Sequence, residues 1–354
     1  MAHWQEDQQD PRGPEATRLE LGTKRVQPLD MRFVVVGAGA VGGVVGGRLF
    51  EHGSKVLLVA RGEHSRIIAK DGLTIASPAG VVKVNPPVTD RIDGVDWTEQ
   101  DVILLAVKSQ DSEEALCELS AVAPSSTPVV CMQNGVANET VVLRRFSLVY
   151  AMCVMCPSSY LSPGVVVARS SPITALLDLG RYPGVDEPDQ VAVAISEVIN
   201  RSSMQSVPRP DIMRWKYAKL LLNLGNAVDA LCGPGARNSH LTERAHEEGE
   251  ACLVAAGIPY ASREEDAARR DNLLTLGAVP GYEELGSSTW QSLARSSPST
   301  EVDYLNGEIV LLGRLHGVPT PVNELLRSLV NKMARERSKP RIMTADEVLS
   351  MLPT

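Results

Sequence analysis

Aromatic residues are scarce in this 354-residue chain: three Phe, four Trp and seven Tyr make up 4%. A core must therefore be assembled from Val, Leu, Ile and Ala, which suits a parallel sheet covered by helices. No run of about 18 apolar residues occurs, which excludes a spanning helix. Positive charge is not in surplus: 35 Lys and Arg stand against 43 Asp and Glu, a net charge of −8. Nucleic acid is a poor partner for such a chain, because neutralising phosphates takes clustered Lys and Arg. An apolar segment near the N-terminus is also lacking. Residues 1–30 mix four basic with six acidic residues, so they read neither as a secretory signal nor as an Arg-rich, acid-poor transit peptide. Cysteine is limited to six residues, at 117, 131, 153, 156, 232 and 252, spread as in a reduced cytoplasmic protein. Cys153 and Cys156 form a C-x-x-C, but they fall in a run that reads as a buried strand. No second Cys or His pair stands nearby to complete a zinc site, so no metal is expected.

The length allows about two domains of 150 residues. Residues 1–30, rich in Gln, Asp, Pro and Gly, read as a tail. Met31 opens the first element, a β-branched strand over Arg32–Val36. A helix follows through Leu49 and Phe50, then a strand over Lys55–Ala60. A hairpin is expected over 73–75 and 81–84, and further strands at 101–107, 128–132, 148–154, 164–168 and 173–179. After residue 207 the texture turns helical. Asp211 is a candidate N-cap for a helix from Ile212 to Leu231, stopped by Gly233. More helices are expected near 240–256, 262–276, 287–296, 300–316 and 321–337. The chain thus divides into an α/β domain over 31–207 and a helical domain over 208–338. Residues 339–354 read as a loose end.

Between the first strand and its helix stands Gly37-Ala38-Gly39-Ala40-Val41-Gly42. In that context a G-x-G-x-x-G reads as a dinucleotide fingerprint. Gly37 allows a tight turn, Gly39 lets a pyrophosphate reach the backbone, and Gly42 lets helix and strand pack closely. The helix N-terminus supplies N–H donors for the phosphates. An NAD site calls for Asp or Glu at the end of the second strand. Here Arg61 stands in that place, and a guanidinium suits a 2′-phosphate, so NADP is the expected cofactor. Lys108 ends the 101–107 strand, where doubly wound sheets bind ligands. Asn134, in Gln133-Asn134-Gly135, holds the corresponding place after the next strand; it could touch cofactor or substrate, or simply turn the chain.

On the 212–231 helix, Lys219, Asn223 and Asn226 recur at i, i+4 and i+7 among leucines. A polar stripe there costs several kcal/mol unless it is solvated or partnered. A substrate-facing Lys219 could donate a proton. Lys216 and Tyr217 fall on other faces and read as surface and packing residues. Farther on, Ser288 could cap a helix or bind a carboxylate. Thr300 with Asp303 has the form of a capping box, and Glu301 alone reads as an acidic first-turn residue.

Taken together, RFVVVGAGAVGG from Arg32, LLAVKSQD from Leu104, QNGV from Gln133, KLLLN from Lys219 and SSTWQSLARSSPSTEVDYLNG from Ser287 resemble the ketopantoate reductase family. Their order fits from Met31 to about Lys332. The resemblance implies α/β plus all-α architecture: an N-terminal Rossmann domain and a C-terminal helical domain of the 6-phosphogluconate-dehydrogenase-like type. It implies NADPH-dependent reduction of a small 2-oxo acid to a 2-hydroxy acid, with Lys219 as general acid supported by Glu301. Asn134, Asn223 and Ser288 resemble substrate contacts, Lys108 the lysine at the cofactor–substrate junction, and Arg61 the 2′-phosphate ligand. A homodimer through the helical domain is compatible with it.

The departures lie mainly on the substrate side. The family's second Asn falls four residues after the first, whereas here Asn226 comes three after Asn223 and Ala227 holds the usual place. Ser292 replaces an acidic residue, and Ser296-Ser297 replaces Gly-Arg before the T-E motif. Two alternatives follow: a reductase for another carbonyl compound, and a non-catalytic NADP-binding sensor. Retention of Lys219 and Glu301 speaks against the sensor.

Overall fold

The computed structural model describes residues 30–283 and 286–352. Apart from Asp30, the tail expected over 1–30 lies outside the described residues. The strands are β1 (Arg32–Val36), β2 (Lys55–Val59), β3 (Leu73–Ser77), β4 (Gly80–Val84), β5 (Val88–Thr89), β6 (Asp101–Leu105), β7 (Val129–Cys131), β8 (Val149–Met155), β9 (Ser158–Ser162), β10 (Val165–Ala168) and β11 (Leu176–Tyr182). The helices are α1 (Ala40–Glu51), α2 (Gly62–Asp71), α3 (Ser112–Val122), α4 (Asn138–Leu143), α5 (Gln190–Asn200), α6 (Ile212–Asn223), α7 (Gly225–Cys232), α8 (His240–Ala255), α9 (Arg263–Arg270), α10 (Ser288–Ala294), α11 (Asn306–His316), α12 (Pro321–Glu336) and α13 (Ala345–Ser350).

A seven-stranded sheet runs in the order β11-β8-β7-β6-β1-β2-β5. It is parallel except for β11, which pairs antiparallel with β8. The period-two alternation of a strand sends its apolar residues to both faces. Phe33, Val35, Leu58 and Leu104 pack with Val45 and Leu49 of α1 and Ile195 of α5. Val34, Val36, Ile103 and Leu105 pack on the other side with Leu116 and Leu119 of α3. This is a Rossmann-like N-terminal domain. A second sheet, β4-β3-β10-β9, contains the hairpin expected at 73–84 and packs on α1.

The C-terminal domain is helical. Its core joins Leu220 and Leu224 to Leu241, Leu253, Ile309, Val322, Leu326 and Val330. α6 belongs to both domains' packing: Ile212, Trp215 and Ala218 lie against Ala151, Cys153 and Met155 of β8. The helix that carries Lys219 is thereby fixed against β8 and its neighbour, the edge strand β11.

Several expected elements differ from those observed. The 212–231 helix is interrupted at Leu224, whose N–H reaches back only to the Leu221 carbonyl, 3.2 Å, just before Gly225. Such an i−3 bond tightens the turn, and glycine weakens a helix at that point. Asp211 makes no side-chain cap bond. The helix expected over 262–276 stops at Arg270, where Asp271 takes a positive φ of 36°. The supposed loose end is not loose. Arg341 and Met343 donate backbone hydrogen bonds to the Ala230 and Leu231 carbonyls, and Thr344 with Glu347 forms a capping box for α13, whose Val348 is fully buried. The S/T-x-x-E pattern of that box was present in the sequence.

Candidate active site

A cavity of about 960 Å³ opens between the two domains. Gly37, Ala38, Gly39, Ala40 and Val41 line it from the β1–α1 turn. Gly37 has φ +100°, and a Cβ there would stand 2.7 Å from the Val107 nitrogen. Gly42 lies beneath the loop, where a Cβ would meet the Gly37 carbonyl oxygen at 2.0 Å. At Gly39 a Cβ would find no atom within 4 Å, so the backbone there faces open space. α1 begins with neither a side-chain cap nor an acidic residue in its first turn. Its free N–H groups and positive dipole end are what a pyrophosphate requires, so these residues fit a dinucleotide. His64 props the loop from behind, with Nε2 bonded to the Ala38 carbonyl at 2.7 Å and Nδ1 accepting from the Gly164 N–H at 2.9 Å. An accepting Nδ1 means a neutral ring, and burial lowers the His64 pKa in agreement.

Arg61 follows β2 and lines the same cavity. Its guanidinium is 60% exposed and contacts Glu114 at 3.3 Å and Glu118 at 3.4 Å, both on α3. Long, exposed ion pairs of this kind are weak, so an incoming phosphate can compete for the guanidinium.

Lys108, Asn134, Lys219, Asn226, Ser288 and Glu301 also line the cavity. Lys108 donates to Ser292 Oγ. Burial lowers its pKa, and the Glu301 carboxylate opposes that. Glu301 is itself held through Oε1 by the Ser109 N–H at 3.2 Å and hydroxyl at 3.3 Å. No hydrogen bond joins Glu301 to Lys219 among the described residues. The two share the cavity, and Glu301 is bonded at Ser109, next in the chain to Lys108. Thr300 caps the turn that carries Glu301 by accepting from the Val302 N–H at 3.3 Å. Asp303 does not complete a box there; it takes Arg327 and Asn331 instead.

Lys219 has no hydrogen-bond partner among the described residues. Burial lowers its pKa, with Cys153 and Asp266 opposing and Arg270 and Arg237 reinforcing. Asn223 is buried rather than lining the cavity; its Nδ2 donates to Asn134 Oδ1 at 3.2 Å. Asn226 does line the cavity, whereas Ala227 is 1% exposed in the helical core. The tightened turn at Leu224 accompanies this placement. Ser287, not Ser288, caps α10, accepting from the Trp290 N–H at 3.3 Å. Ser288 Oγ is therefore free to face the cavity.

Sequence reasoning missed three groups. Ser109 and Ser292 sat inside recognised motifs without a periodic signal of their own. Lys216, read as a surface residue, is 3% exposed and forms an ion pair with the fully buried Glu139. A lysine beside Trp215 on a helix of mixed polarity offers no pattern that reports such burial.

Two family profiles match the chain: ketopantoate reductase PanE/ApbA over residues 33–181, and the C-terminal part of ketopantoate reductase PanE/ApbA over residues 211–334. The chain belongs to the ketopantoate reductase family. This is a family of oxidoreductases, and the Rossmann-like and helical domains above are its two halves. The 2-dehydropantoate 2-reductase of Pyrococcus horikoshii is 29% identical over 310 residues, covering 85% of this chain and 96% of the relative. That of Halobacterium salinarum is 29% identical over 320 residues, covering 86% and 100%. Among solved structures, a PanE/ApbA family ketopantoate reductase from Ralstonia eutropha superposes with a TM-score of 0.71 at 26% identity, over 87% of this chain and 99% of that one. D-mandelate dehydrogenase with NADH and anilino(oxo)acetate has a TM-score of 0.72 at 21% identity, over 87% and 99%, and shares the fold.

Proposed function

We propose that this ketopantoate reductase family member reduces ketopantoate to pantoate with NADPH, Lys219 supplying the proton. The observation that carries this reading is the unpartnered ammonium of Lys219, held in the interdomain cavity that a glycine loop fitting a dinucleotide also lines. When bound, the nicotinamide supplies the hydride. The chain's own part is binding, orientation and proton supply. Gly37 to Val41 hold the pyrophosphate, and Arg61 takes the 2′-phosphate. Lys108 lies at the junction of cofactor and substrate. Asn134, with its Oδ1 occupied by Asn223, offers an N–H pair to the substrate, and Asn226 and Ser288 offer further polar contacts. Lys219 donates to the oxygen on which charge develops, and such proton transfer suits a group whose pKa lies nearer neutrality than usual. Glu301 balances the charge of Lys108 and sets the acidic side of the site.

The test is NADPH oxidation by the purified protein with ketopantoate beside a panel of branched 2-oxo acids. Preferred turnover of ketopantoate is expected. A second reading, reduction of a different 2-oxo acid, is favoured by one observation: Lys108 pairs with neutral Ser292 where the family usually has an acid. Preference for another 2-oxo acid in the same panel would establish it, whereas tight NADPH binding with no turnover at all would favour the sensor.

Cofactor choice gives a separate expectation. Arg61→Ala should raise the KM for NADPH by about tenfold, the worth of one charge-assisted contact, and leave that for NADH unchanged. Glu118→Gln, which frees Arg61 from one competitor, should lower the KM for NADPH. Parallel shifts with both cofactors would show that Arg61 does not read the 2′-phosphate.

A further inference from the structure

We infer that Lys216 is a positioning residue, which with Glu139 fixes the main chain that presents Asn134 to the substrate. The inference rests on the function proposed above. Lys216 and Glu139 are 3% and 0% exposed, and their ion pair crosses from α6 of the helical domain to α4 of the Rossmann-like domain. Taking two charges out of water is costly, so a buried pair is weak evidence for stability alone. The ammonium makes a second bond that an apolar replacement could not make: Lys216 Nζ donates to the Gln133 carbonyl at 3.1 Å, one residue before Asn134.

From there a continuous chain of bonds runs under the cavity. The Gln133 side chain donates to the Val107 carbonyl at 2.7 Å and to Ser112 Oγ at 2.8 Å. Ser112 donates to Asn138 Oδ1 at 2.8 Å, and Asn138 Nδ2 donates to Ser109 Oγ at 3.0 Å. Ser109 in turn holds Glu301. The Lys108 loop and the Asn134 loop are thus sewn together, and the helical domain grips them at both ends, through Lys216 and through Glu301. Gly135 has φ +80°, and a Cβ there would stand 2.9 Å from the Tyr304 carbonyl oxygen, so the loop is also pressed on the helical side. Lys216 lies one turn before Lys219 on α6. The clamp therefore sets the spacing between the Lys219 ammonium and Asn134, and a misplacement of about 1 Å can cost 10²-fold in rate.

The test compares Lys216→Met, Glu139→Gln and the double variant Lys216→Met/Glu139→Met, using whichever 2-oxo acid the wild type reduces. Failure of the wild type with ketopantoate thus counts against the proposed substrate alone. The double variant replaces the pair by apolar side chains of similar volume and should keep its melting temperature within a few degrees. Its kcat should fall by about 100-fold, with NADPH affinity, which rests on the Gly37–Val41 turn and Arg61, unchanged. Amide hydrogen exchange over residues 133–137 should rise by about tenfold without a change in the strands, a readout that needs no substrate. Glu139→Gln retains the Lys216–Gln133 bond and should keep most of the kcat and the loop protection that Lys216→Met loses. Wild-type kcat and protection in a stable double variant would overturn the inference. So would equal losses in Glu139→Gln and Lys216→Met, since the pair would then act through charge balance and not through the Gln133 carbonyl.

Discussion

Lys219→Ala should lower kcat by about 10²–10⁴-fold, the range spanned by positioned proton donors, and leave the NADPH dissociation constant where it was. The separation of the two effects follows from the geometry. Lys219 forms no hydrogen bond with a described residue, and its helix is fixed by Trp215, Ala218 and Leu220. Truncation at Cγ and beyond removes an ammonium from the cavity without unpairing anything in the core. The Gly37–Gly39 turn belongs to the other domain and is tied to the end of β2, with the Gly37 and Ala38 N–H groups bonding the Val59 carbonyl. Steady-state kinetics with a fluorescence titration of NADPH measures both quantities. Unchanged turnover would remove Lys219 from the proton-donor role, whereas equal loss of turnover and NADPH binding would make it a folding residue.

The same assignment predicts a pH profile. A general acid must be protonated, so the rate falls as pH rises through its pKa. Burial lowers the Lys219 pKa from its ordinary 10.5, and the Arg270 and Arg237 charges add to this, while Cys153 and Asp266 oppose it. The alkaline limb of kcat should therefore lie below the range of a free lysine, and it should be absent from the residual activity of Lys219→Ala.

Much of this architecture was legible because parallel strands and glycine turns leave dense local signals. Arg32–Val36, the glycine run and the Asp101–Leu105 strand each combine composition, period and position, and no distant residue is needed to recognise them. The K-L-L-L-N stripe singled out Lys219, which lines the cavity, in the same way. What was not legible depended on contacts far apart in sequence. Lys216 and Glu139 are 77 residues apart, and neither stands in a pattern that distinguishes a buried charge from a solvated one. Lys108 and Ser292 are separated by 184 residues, so the partner of that lysine could be seen only after folding. The break at Leu224 was missed for a different reason. Helical periodicity carries across a single tightened turn, and only the backbone shows that Asn226 comes to line the cavity while Ala227 enters the core.

The glycine turn allows the dinucleotide assignment to be tested apart from the stability of the fold. Gly39→Ala and Gly42→Ala add the same methyl group three residues apart, yet their surroundings differ. At Gly39 the new Cβ meets no atom within 4 Å, and the backbone there is not in the left-handed region, with φ −70°. An alanine at this position is expected to leave the melting temperature unchanged or slightly raised, since it also restricts the unfolded chain. Its methyl group occupies the space through which a pyrophosphate approaches the N–H groups of α1, so NADPH affinity should fall by about 100-fold or more, the loss of several charge-assisted hydrogen bonds. At Gly42 the Cβ would lie 2.0 Å from the Gly37 carbonyl oxygen and 3.0 Å from Ala106 Cβ. Relief would require α1 to move away from β1 and β6, and overpacking of a close contact costs about 1–3 kcal/mol or more. Gly42→Ala should therefore lose thermal stability and NADPH binding together. Differential scanning fluorimetry with and without NADPH separates the two cases: Gly39→Ala melts like the wild type without cofactor and loses the cofactor-induced rise, while Gly42→Ala melts earlier in both conditions. A full NADPH-induced rise in Gly39→Ala would mean that the phosphates do not pass over this turn, and the assignment of residues 37–42 to the cofactor would have to be given up.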